Sequence, residues 1–177
     1  YGKPRVDHEL LSKYHEGLVC LSACLAGEIP QALLNDDIEK AEETAMFYKT
    51  LFGEDFYIEL QDHGIEEQRT ILPALIRLAK KLNIELVATN DCHYIEKSDS
   101  KMQHAMVCVQ TNKHMDDPNP LEFETEEFYV KSTDEMYDLF AYIPAACANT
   151  VKVAEKCNFD YEFGKTKLPK YENPMGI

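Results

Sequence analysis

The sequence contains no apolar run approaching the length of a membrane span, and its start, "YGKPRVDHELL", has neither an initiating methionine nor a basic-then-apolar leader. A membrane helix and a secretory signal are therefore not expected, and the chain reads as beginning inside a longer protein. Positive charge is scarce: 18 Lys and Arg stand against 32 Asp and Glu, a net charge of −14. Nucleic-acid backbones are held by Lys and Arg that displace counterions, so DNA contact by this chain alone is not expected. There is no G-x-S-x-G elbow, Walker loop, G-x-G-x-x-G or H-E-x-x-H, which leaves serine-nucleophile and nucleotide-cradle chemistry without support. The six cysteines lack a C-x-x-C pair and a dense loop-rich framework. That argues against a zinc ribbon or disulfide scaffold and for reduced thiols in a cytosolic protein. No fixed-period repeat or low-complexity tract is present.

What is there suits one domain: 177 residues, 45% hydrophobic, with eight Phe and ten Tyr. Three short apolar segments read as buried strands, each followed by a helical pattern: residues 17–22, 56–60 and 84–89. After the first come "EIPQALL" and a helix in which Ile38, Ala41, Ala45 and Tyr48 share a face, capped by Asp36 or Asp37. After the second, Leu72, Leu75, Ala79 and Leu82 share a face, and Pro73 sets the expected helix start near Thr70. A third helix is expected near Ser98. A short strand at 127–131 leads to a helix with capping-box spacing at Ser132 and Glu135, and a final helix spans 145–157. Residues 116–138 hold nine carboxylates and one Lys131, a pattern of solvated surface or of a face for a basic partner.

Alternating strands and helices imply parallel pairing, in a barrel or an open sheet. The barrel is favoured because Cys24, His63, Asp91 and His93 all follow strands, where β/α folds carry functional loops. In an extended segment Asp91 and His93 would point to one side, as metal ligands do; the other reading is a turn, since "TND" is good turn chemistry. Cys24 is a ligand or a small core side chain. His63, in "QDHG", has a structural or substrate-contacting role at least as readily as ligation. Glu59 faces a barrel mouth or solvent. Metal-assisted hydrolysis is the chemistry these residues leave open.

The segments "GLVCLSACLAGEIPQALL", "FYIELQDHGIEEQ", "LVATNDCHYIEKSDSKMQHAMVCVQTNK", "FETEEFYVKSTDEM" and "CNFDYEFGKTKLPKY" closely resemble, in order, the later part of the PHP (polymerase and histidinol phosphatase) domain of bacterial replicative DNA polymerase III alpha subunits. The resemblance implies part of a distorted (β/α)7 TIM-like barrel over residues 1–160, and an exit linker toward a polymerase palm over 161–177. It implies Cys24, Asp91 and His93 as ligands of divalent Zn, Mn or Fe, with further ligands upstream of Tyr1 and polymerase aspartates beyond Ile177. His63 and Glu59 stay as lining residues.

Two roles follow from the resemblance. One is a module that stabilises the polymerase and docks a proofreading exonuclease subunit; the other is a metal-dependent phosphoesterase or 3'-5' exonuclease. Primer-template DNA would be met through the rest of the chain, in the bacterial cytoplasm. The isolated chain is expected to bind metal weakly or not at all, and to pair through exposed sheet edges as a dimer.

Overall fold

The computed structural model describes residues 5–117, 123–160, 162–166 and 168. Three parallel strands form an open sheet in the order β1-β2-β3: β1 is Cys20–Leu21, β2 is Phe56–Leu60 and β3 is Glu85–Ala88. Pairing runs Leu21 with Tyr57 and Glu59 with Val87. Helices connect and flank the strands: α1 His8–Tyr14, α2 Glu28–Leu34, α3 Ile38–Phe52, α4 Glu66–Leu82, α5 Ser100–Thr111, α6 Thr133–Leu139 and α7 Pro144–Lys156. This is the α/β arrangement that the alternating pattern implied, and it is consistent with part of a PHP barrel.

All five residues of β2 are buried, as expected for a central parallel strand covered on both sides. Phe56, Ile58 and Leu60 join the main hydrophobic cluster with Ala41 and Ala45 of α3, and Ile71, Leu75, Leu78 and Ala79 of α4. Side chains alternate across a strand, so Tyr57 and Glu59 face the other way, and Gln61 continues their side just past the strand end. That second face carries the polar groups discussed below.

Several elements differ from expectation for local reasons. The first strand is shorter than 17–22 because Gly17 turns at φ +78° and Leu18 is half exposed. α4 starts at Glu66 and keeps Pro73 inside it. Pro73 and Arg69, whose carbonyl loses its partner, both lie on the exposed side, where water can satisfy that carbonyl. Ile38 is exposed because it opens α3 beyond the packed face; Asp37 caps that helix by accepting from the Lys40 N–H at 3.0 Å. Residues 127–131 form a single bridge, Tyr94 to Tyr129, rather than a strand. A 3-10 turn at Lys97–Asp99, closed by Glu96 and Asp99, precedes α5, which begins at Ser100. The capping box at Ser132 and Glu135 is present as expected. Most of the expected exit linker, 161–177, lies outside the described residues.

Candidate functional site

The turn after β3 brings Asp91 and His93 together, though not as an extended pair. Asp91 adopts a left-handed φ of +44°, a conformation Asp tolerates better than most residues, and its Oδ1 sits 3.4 Å from His93 Nε2. The chain bends here rather than running extended, and the bend makes the carboxylate and imidazole converge. Each side chain is over a third exposed, so the pair faces outward from the strand end. The His93 ring lies 4.6 Å from Phe123 and edge-on to Phe128 at 5.5 Å, which limits its rotation.

The turn is clamped by residues from segments distant in sequence. The Asn90 carbonyl accepts from His63 Nε2 at 2.6 Å, and Asn90 Nδ2 donates to the Tyr129 carbonyl at 2.6 Å. His93 N–H donates to the Phe128 carbonyl at 2.8 Å. Lys131 Nζ reaches Asn90 Oδ1 at 3.4 Å, pairs with Glu127 at 3.4 Å and lies over the Tyr129 ring at 4.3 Å. Its side chain is only 5% exposed, so the lone cation of the acidic run is an internal fastener. Glu127 also pairs with Lys97 at 2.5 Å; that contact holds the Glu127 carboxyl below its ordinary range and raises the Lys97 amine.

His63 is a structural histidine by its bonding. It is 1% exposed and stacked on Phe128 at 4.1 Å. A carbonyl can only accept, so Nε2 carries the proton given to Asn90, and Nδ1 accepts from Gln68 Nε2 at 2.9 Å. Gln68 Oε1 in turn accepts from the His63 backbone N–H at 2.7 Å. Both ring nitrogens are engaged in hydrogen bonds. Neither is free for a metal.

Cys24 lies in the loop between β1 and α2 as a half-buried free thiol. The loop is tight: Gly27 N–H donates to the Cys24 carbonyl at 2.8 Å, and a Cβ on Gly27 would stand 2.4 Å from the Ser22 carbonyl oxygen. Cys24 lines a small cavity with Glu59, Gln61 and Gln68. Burial pushes the Cys20 thiol up to about 11, so it stays protonated. All six cysteines are free.

Glu59 is buried, which removes the solvent-facing reading. Its Oε1 accepts from the Thr89 hydroxyl and from Gln61 Nε2 at 3.0 Å. Among the described residues, no three His, Cys, Asp or Glu side chains are gathered closely enough to hold a metal ion. Asp91 with His93, and Cys24 at another strand end, offer oxygen, nitrogen and sulfur donors that fit a divalent metal as part of its shell. Sequence reasoning missed Asn90, Gln68, Phe128 and Lys131. Their signal was weak, because clamping residues have no characteristic spacing.

Residues 1–63 match the family described as PHP domain. The chain is 48% identical over 175 residues to the DNA polymerase III subunit alpha of Treponema pallidum (strain Nichols), covering 98% of this chain and 15% of that protein. It is 43% identical over 176 residues to the corresponding subunit of Borreliella burgdorferi, covering 99% and 15%. It is 37% identical over 185 residues to that of Thermus aquaticus, again 99% and 15%. The chain thus spans about 15% of the length of these curated relatives. No helix among the described residues is long and apolar enough to cross a membrane.

Proposed function

Because this chain is homologous to the PHP region of bacterial DNA polymerase III alpha subunits, we propose that it works as a PHP module within such a polymerase chain. The module steadies the polymerase and docks a separate proofreading exonuclease in the bacterial cytoplasm. Other parts of the chain complete its sheet as a (β/α)7 barrel and carry polymerisation and primer-template binding. The observation that best supports this role is the heavily fastened turn after β3, where His63, the Tyr129 carbonyl and Lys131 all bond Asn90 and hold the loop in a fixed shape. Affinity capture of the exonuclease by the full-length polymerase chain, with and without residues 5–160, tests it. Capture that fails while polymerase activity persists supports docking; undiminished capture rejects it.

A second reading rests on the convergence of Asp91 and His93 within 3.4 Å. With Cys24 and donors elsewhere in the polypeptide they would hold Zn, Mn or Fe. Such ions supply hydroxide and stabilise charge on a phosphate oxygen, the chemistry of phosphoester hydrolysis. The chain's own part is to aim the pair: Phe123 and Phe128 restrain the His93 ring, and Asn90 anchors the turn that bends at Asp91. Metal analysis of the full-length chain decides this. Asp91→Ala or His93→Ala should lower bound metal, and unchanged metal would sink the idea. Because several deprotonated donors must be assembled, the 177-residue chain alone should hold metal weakly or not at all.

A further inference from the structure

The polar face of β2 contains an imbalance that the metal donors at the strand ends do not explain. Glu59 sits in the centre of the sheet and touches both donor-bearing loops. Its N–H donates to Ser22 Oγ at 2.9 Å, two residues before Cys24. Its Oε1 accepts from the hydroxyl of Thr89, two residues before Asp91. Both side-chain donors to Glu59, Thr89 and Gln61, are neutral, and among the described residues no Lys, Arg or His pairs with it.

Gln61 adds an unmet acceptor. Its Nε2 donates to Glu59 Oε1 at 3.0 Å and to Thr89 Oγ1 at 3.2 Å. A carboxylate only accepts, so this amide orientation is fixed: the reverse would set oxygen against oxygen. Gln61 Oε1 is left with no hydrogen-bond partner in a side chain that is 9% exposed. An unpaired buried acceptor is costly, and so is a buried carboxylate with only neutral donors. Both costs fall when a cation is near. Glu59 and Gln61 border the same small cavity as Cys24.

We propose that Glu59 is a positioning residue for the metal donors: it ties the Thr89 strand end that leads to Asp91 and His93 to the Ser22 loop that leads to Cys24. Its buried charge, with the free Oε1 of Gln61, draws a divalent cation to this end of the sheet. Glu59 acts through the donors and is not itself a ligand. The proposal rests on the metal reading given above.

The test uses the full-length chain with Co2+ as probe, reading affinity by competition and the Co2+–thiolate absorption that reports Cys24. Glu59→Gln keeps the shape and hydrogen-bonding reach but removes the charge. It should weaken Co2+ binding by about tenfold or more, as losses of outer-shell partners do, while the melting temperature stays near wild type. Unchanged Co2+ affinity in a folded Glu59→Gln chain would overturn the proposal. Should Glu59→Gln fail to fold, Thr89→Val cuts the link and keeps the charge. A Co2+ spectrum altered in that variant supports the positioning role, and one identical to wild type overturns it. If Asp91→Ala and His93→Ala leave Co2+ binding intact, the metal reading itself fails, an outcome distinct from failure at Glu59 alone.

Discussion

At the scale of single residues, backbone and chemistry can be separated at Asp91. Its φ of +44° is disfavoured for a β-branched residue. Asp91→Val should therefore cost roughly 1–2 kcal/mol of stability, whereas Asp91→Asn, equally at ease in the left-handed region, should be close to neutral. Urea unfolding of the two variants checks the difference. A buried histidine with both nitrogens engaged makes the opposite statement at His63. His63→Phe keeps the stacking on Phe128 but leaves the Asn90 carbonyl and Gln68 Nε2 unpaired. A loss of about 2–4 kcal/mol is expected from the two unmet groups, read from the same unfolding curves. Convergence of Asp91 and His93 was legible in the sequence. Its mechanism, a left-handed kink in place of an extended strand, was not, because a positive φ in an Asp leaves no spacing pattern.

At the scale of elements, tight loops and caps decide where the site residues stand. A methyl group at Gly27 would press on the Ser22 carbonyl at 2.4 Å, a backbone atom that cannot step aside alone. Gly27→Ala should cost roughly 1–3 kcal/mol and shift the Cys24 loop, seen as faster reaction of Cys24 with a thiol reagent. The capping box of α6 carries a pH dependence. Tyr129 O–H donates to Glu135 at 2.6 Å, and that bond, with those from Ser132, lowers the Glu135 carboxyl from 4.5 to about 2. A carboxyl depressed in the folded state contributes stability above its unfolded pKa and loses it as pH falls through the folded one. Between pH 4.5 and about 2, Glu135→Gln should therefore lose less stability than wild type, a difference absent under neutral conditions beyond a constant offset. Helix faces and caps at Asp37 and Ser132 followed directly from spacing. The start of α4 did not, because sequence cannot say that Pro73 would lie on a solvated face where a freed carbonyl is harmless.

At the scale of the whole molecule, the parallel pairing and the placement of Cys24, His63, Asp91 and His93 after strands were readable from alternation, whereas the open sheet order was not. The clamps were not: Asn90, Phe128 and Lys131 belong to segments far apart in sequence that meet only once the chain is folded. The acidic run read as solvated surface or as a face for a basic partner, yet Glu127 is gripped between Lys97 and Lys131, whose side chain is buried. On the proposed reading the open sheet would continue in other parts of a longer polypeptide, and β1 is where that continuation can be measured. Ser22 N–H bonds the Tyr57 carbonyl on β2, so alternation turns the Leu21 N–H toward the opposite edge. Amide hydrogen exchange of Leu21 in the full-length polymerase chain is the most direct test. A neighbouring strand on that edge should slow its exchange by about a hundredfold or more relative to an open amide; exchange at the rate of an unprotected amide would contradict the barrel and, with it, the assignment of this region as a PHP module.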